Sequence, residues 1–105
     1  MKNKAINALI EMGANMSDNG FACIVDAMVL FEDEEIRTGS VMHLYERIAD
    51  MHNKTSMAVE RCIRNEFGTI TKKGNLRAVE KYLTMQNTTN SNLLHVFYFR
   101  LSRED

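Results

Sequence analysis

NKTSMAVERCIRNEF, residues 53–67, places two arginines and a glutamate on one helical stripe of a chain whose formal net charge is only -1. At about 100° per residue, Val59, Ile63, Phe67 and the small Cys62 gather on one side, and Met57, Glu60, Arg61 and Arg64 on the other. One side is built to pack and the other to be presented. A hydroxyl at Thr55 or Ser56 can accept from the free amides of the first turn and start the helix there.

Upstream, Ser40 suits the N-cap of a helix whose apolar side is Val41, Leu44, Tyr45 and Ile48, with His52 and Asn53 at its end. Two helices therefore flank a turn of about three residues, the spacing of a helix-turn-helix over about 41–70. The rest of the chain is punctuated the same way. It has no proline, and its breaks are GANMSDNG (13–20), RTGS (37–40), KKGN (72–75) and MQNTTNSN (85–92). Ile6, Leu9 and Ile10 mark a first helix that Gly13 can end in a left-handed conformation. Phe21, Ile24, Val25 and Met28 mark a second, finishing near the acidic run EDEE (32–35). That run reads as a solvated face, although carboxylates are unfavourable at a helix C-terminus.

Asn75 can cap a helix with Leu76, Val79 and Leu83 as its apolar members, and Asn90 or Ser91 can cap the last one. SNLLHVFYFRL (91–101) has the aromatic and β-branched content of a strand, yet Leu93, Leu94, Phe97 and Leu101 make one helical face. Helix is the reading adopted. Val96 and Phe99 then form a second apolar side, fit for a subunit or partner contact, or for burial within a small domain. The expected fold is all-α, with about six helices.

A length of 105 residues, 45% hydrophobic and 26% charged, suits one soluble domain over 1–105. The longest apolar run, FACIVDAMVLF (21–31), contains Asp26 and is too short to cross a bilayer, and no signal segment opens the chain. A cytoplasmic protein without membrane contact is expected. Cys23 and Cys62 lie within apolar helical patterns, as small buried thiols do, and the methionines other than Met57 read as core. His43, Glu46 and Asp50 could share a helix edge but are joined by no further ligand group, and His95 is a lone histidine expected to be packed or hydrogen-bonded. No glycine-rich phosphate loop, nucleophile elbow or paired-carboxylate signature is present, so neither catalysis, a metal nor a cofactor is expected.

Charge is unevenly divided. Residues 1–53 carry four basic and nine acidic side chains, and residues 54–105 carry nine and five, giving halves of -5 and +4. A basic half suits a domain that meets phosphates through one face. On the presented stripe, arginine can donate two bonds to guanine O6 and N7, and glutamate can accept from cytosine N4. Ser56, Met57, Glu60, Arg61 and Arg64 are the candidate base or groove contacts, Met57 by touching a thymine methyl. Lys54, Lys72, Lys73, Asn75 and Arg77 are the candidate phosphate contacts, the KKGN turn lying against a strand. The plainer alternative is a surface ion pair between Glu60 and Arg64, worth about 0.3–0.5 kcal/mol.

GSVMHLYERIADMHNKTSMAVERCIRNEF (39–67), followed by KKGN, resembles the C-terminal effector domain of the stage-zero sporulation response regulator of endospore-forming bacteria. Tyr45, Ile48, Ala49, Asn53, Thr55, Val59 to Arg61, Ile63, Arg64, Gly74 and Asn75 match its pattern in order. Thr89 to Ser91 repeat its Thr-Asn-Ser before the last helix, so the likeness runs from about Gly20 onward. The resemblance implies a six-helix DNA-binding domain that reads a duplex element related to TGTCGAA, often as tandem dimers. It also implies that the region after the recognition helix touches the RNA polymerase sigma factor, although only Gly74 and Asn75 match well there. The chain departs from the pattern at Ala58, near where an arginine is usual, and at Met57, where a small polar residue is usual. An arginine contact is worth about 1–3 kcal/mol of base discrimination, so the resemblance leaves the exact DNA element open. No receiver domain is contained in the 105 residues. The second functional expectation is a protein-interaction domain that keeps the fold without reading DNA.

Overall fold

The computed structural model describes residues 1–104, and among them the regular structure is entirely helical. The helices are α1 (Lys2–Glu11), α2 (Asn19–Leu30), α3 (Glu34–Thr38), α4 (Val41–His52), α5 (Ser56–Lys73), α6 (Leu76–Tyr82) and α7 (Asn90–Ser102). The helix expected of the closing stretch is present as α7, and all four residues of its expected packing face are buried.

The additional helix relative to the expected six is α3, and it explains the acidic run. Asp33 accepts a bond from the Glu35 amide at 2.9 Å, and Glu34 and Glu35 occupy the first turn. Carboxylates are favourable there because they face the positive end of the helix dipole. The run starts a helix as well as following one, which a search for long periodic segments does not detect.

Local chemistry sets most other boundaries. Gly13 adopts φ +95°, and the Ala14 and Gly13 amides donate to Leu9 and Ile10 carbonyls at 2.9 Å each, closing α1 as a Schellman motif. Ser40, Thr55 and Asn75 cap α4, α5 and α6 through their side chains. Thr89, rather than Asn90 or Ser91, caps α7, because its hydroxyl is the one that reaches the Asn92 amide.

Helix α2 is the centre of the molecule and packs against α1, α4, α5 and α7. Phe21, Cys23, Ile24, Val25, Ala27 and Met28 are all buried, so this helix needs no broad polar face. Burial pushes the Cys23 thiol up to about 11, leaving it protonated and inert at neutral pH, while Cys62 is only half-buried. Three cationic side chains tie helix ends together. Lys4 donates to the Leu101 and Glu104 carbonyls, Arg37 to Phe31, and Arg100 to Glu80, Lys81 and Leu83. Each carries charge to the negative end of a helix.

The methionine expectation is overturned at four positions. Met12 and Met28 are in the core and Met57 is presented, as expected, but Met16, Met42, Met51 and Met85 are each more than half exposed. Leu76 is likewise 61% exposed, since the first turn of α6 projects beyond the core that Val79 and Leu83 enter. Apolar side chains are common on protein surfaces, so hydrophobicity alone does not place them.

Helices α2 and α5 approach each other closely. A Cβ on Gly20 would lie 2.4 Å from the Cys62 carbonyl oxygen and 2.6 Å from Glu66 Cβ, so glycine is what allows the two backbones to meet. Beside this contact Glu66 is buried at 4% exposure, and its Oε2 has no hydrogen-bond partner. Asp18 holds the N-cap position of α2 but caps no amide with its side chain. Burial first, and then the neighbouring Asp18 carboxylate, push the Glu66 carboxyl up to about 7. The folded chain therefore keeps a proton that the unfolded chain releases near 4.5, and stability falls as pH rises between these values.

Substituting Gly20→Ala should lower stability by about 1–3 kcal/mol, read from chemical denaturation. Gly68→Ala, whose added methyl meets nothing within 4 Å, should instead raise it by up to about 1 kcal/mol. Glu66→Gln should leave the melting temperature close to wild type at pH 5 and exceed it at pH 8, by about 4–8 °C for each kcal/mol relieved. Equal differences at both pH values would show that Glu66 does not titrate in this window.

Candidate nucleic-acid interface

Helices α4 and α5 pack on each other across residues 53–55, forming the expected helix-turn-helix pair. The turn is possible because Asn53 adopts the left-handed conformation at φ 54°, which asparagine tolerates better than most side chains. The Lys54 amide then donates back to the Ala49 carbonyl at 2.9 Å. Thr55 accepts from the Ala58 amide at 3.1 Å and fixes the first turn of α5.

The amphipathic reading of α5 holds. Val59, Ile63 and Phe67 are buried, while Met57 (72% exposed), Arg61 and Arg64 are open to solvent. Glu60 is partly covered, and its carboxylate accepts two bonds from Arg64 Nη1, at 2.7 and 3.0 Å. Arg61 makes no hydrogen bond or ion pair to any side chain among the described residues. Ser56, Met57, Glu60, Arg61 and Arg64 line a shallow groove with Met42 and Tyr45 of α4. All five candidate base contacts therefore lie together, and α4 supplies two neighbours that sequence reading assigned to packing.

The candidate phosphate contacts divide into two places. Lys54 is half-buried in the turn, and its charge offsets part of the rise in the Cys23 thiol. Lys72 and Lys73 close α5, and Arg77 follows on α6, all exposed. Lys72 stands about 18 Å along the helix axis from Glu60, from twelve residues of helical rise. A second groove, lined by Arg64, Asn65, Gly68, Thr69, Lys72 and Lys73, joins the two clusters along α5. Asn75 is partly committed internally: its backbone amide donates to the Met12 carbonyl at 3.0 Å and its Oδ1 accepts from the Ala78 amide at 3.3 Å.

Other polar groups are used within the fold. His95 bonds the Ser91 and Arg37 carbonyls and stacks against Phe31 at 4.8 Å between ring centroids. His52 bonds Asp26, joining α4 to α2. His43, Glu46 and Asp50 are exposed on α4. No helix among the described residues is long and apolar enough to cross a membrane.

Asn90, a candidate cap by its position in the sequence, has a second partner that the sequence does not show: its side-chain amide donates to the Glu60 carbonyl at 3.0 Å, 30 positions away. No local pattern carries such a contact.

No curated protein matches the chain significantly. The family model described as "Sporulation initiation factor Spo0A C terminal" matches residues 5–101, from α1 to the last turn of α7. With nearly its whole length matched and its fold all-helical, the chain belongs to the family of the C-terminal domain of the sporulation initiation factor Spo0A.

Proposed function

We propose that the chain is a sequence-specific, double-stranded DNA-binding transcription regulator that lays α5 in the major groove. The observation carrying this reading is the sidedness of α5: Val59, Ile63 and Phe67 anchor it, and on the other side Met57, Arg61 and Arg64 are exposed beside the partly covered Glu60. A helix braced by α4 and exposing arginines is the shape that enters a major groove. The carboxylate of Glu60 has two uses there, accepting from a cytosine amine and holding Arg64 in place before DNA arrives. Prior ordering reduces the rotamer entropy lost on binding.

In this reading Ser56, Met57, Glu60, Arg61 and Arg64 meet base edges or the groove wall. Lys54, Lys72, Lys73, Asn75 and Arg77 serve the phosphate strands, Asn75 through the part of its side chain not used in capping. A second copy on adjacent DNA and the polymerase sigma factor are the protein partners the family membership favours. One observation favours a second reading, a protein-interaction domain that does not read DNA: Phe99 is 55% exposed on α7.

Mobility shifts over a salt series separate these readings. Specific binding should weaken steeply with salt, and Lys72→Ala and Lys73→Ala should each reduce the slope of log K against log salt by about 0.9 without changing the preferred sequence. Arg64→Ala should relax the preference by about 1–3 kcal/mol at one base pair. Absence of any shift near physiological salt, on a random duplex pool, would leave only the interaction-domain reading.

A further inference from the structure

We infer that Asn90 is a positioning residue for the recognition face, gripping α5 at the Glu60 carbonyl so that Glu60 and Arg64 are presented at a fixed angle. The inference rests on the DNA-reading function proposed above. Asn90 is the first residue of α7 and half-buried, and its Nδ2 donates to Glu60 O at 3.0 Å. Its side chain also stands beside the Tyr45 hydroxyl of α4. A single amide thus sits where α4, α5 and α7 converge, directly behind the presented side chains.

The start of α7 does not require this side chain. Thr89 supplies the cap, and Asn92 ties the preceding loop by donating to the Asn87 carbonyl at 2.8 Å. Nor does α5 need the bond to remain helical, because a helical carbonyl already accepts one amide within the helix and keeps a second lone pair. What the bond adds is direction. The apolar contacts of Val59 and Ile63 are non-directional and permit small rotations of α5 about its axis. A lateral hydrogen bond at Glu60 opposes such rotation at the residue whose carboxylate holds Arg64 through two bonds. Backbone position is thereby passed to the arginine tip.

Two variants separate positioning from simple support. Asn90→Ala removes the amide. Asn90→Asp keeps the shape, removes the donor and places a carboxylate in the first turn of α7, where it favours the helix. The probe is the duplex selected by the wild-type protein from a random pool, compared with single-base variants of it and with an unrelated duplex. Both variants should reduce discrimination between the selected duplex and its single-base variants by about threefold to tenfold. Binding of Asn90→Ala to the unrelated duplex should be unchanged. Backbone amide and carbonyl NMR shifts of the free variants should move within 57–64 more than elsewhere in α5.

Unchanged discrimination would overturn the assignment, as would a loss confined to melting temperature. Reduced discrimination with wild-type shifts over 57–64 would also overturn it, because Asn90 would then be touching DNA itself. If the wild-type protein selects no duplex, the DNA-reading function fails, and the free-protein shifts alone decide: movement centred on Glu60 supports the grip and its absence removes it.

Discussion

The approach of α2 and α5 at Gly20 is the constraint on which the rest of the arrangement depends. With no side chain there, the α5 backbone at Cys62 and Glu66 can lie directly on the start of α2. That contact fixes the middle of the 18-residue helix, and its two ends then have separate tasks. The N-terminal half turns its free face outward beside α4, while the C-terminal end closes against the start of α6. The same closeness encloses the Glu66 carboxyl, whose Oε2 is buried without a hydrogen-bond donor. Burial of a carboxyl in this way favours its neutral form, so this close contact is also where proton binding and folding are coupled.

Cationic side chains are divided between holding the fold and facing outward. Lys4, Arg37 and Arg100 donate to carbonyl groups at helix ends, where the backbone would otherwise leave acceptors unpaired. Arg61, Lys72, Lys73 and Arg77 have no such duty and remain exposed. Net charge cannot distinguish these roles, which is why a total of -1 is compatible with a basic surface along α5. Arg64 is intermediate, being both exposed and held by Glu60. The plain ion pair expected for these two residues is present, and it does not compete with a role in recognition, because an arginine fork has five donors and Glu60 engages only one of its nitrogens.

Much of the fold could be read along the chain because its signals are local. The spacing of Leu44, Tyr45 and Ile48, the caps at Ser40, at Thr55 or Ser56 and at Asn75, the left-handed Gly13 and the helix end at Asn53 each depend on a few neighbouring residues. The candidate base contacts were legible for the same reason, since residues 57, 60, 61 and 64 share a helical face by spacing alone. Legibility stopped where the outcome depended on more distant chain. Met42 and Met51 are as hydrophobic as Met12 and Met28, but only the latter pair is buried. Leu76 fits the period of α6 and still projects past the core. The short α3 was hidden because five residues carry too little periodicity to register.

By itself the sequence determined the six longer helices and which face of residues 56–73 carries charge, since capping and the helical period act between near neighbours. Only the tertiary structure decided how that face is held. The grip of Asn90 on Glu60 and the backbone contact at Gly20 join positions tens of residues apart. Both are made by groups whose partners are chosen by packing. An asparagine can cap a helix or reach across to another, and what lies 3 Å from its amide is settled by the fold.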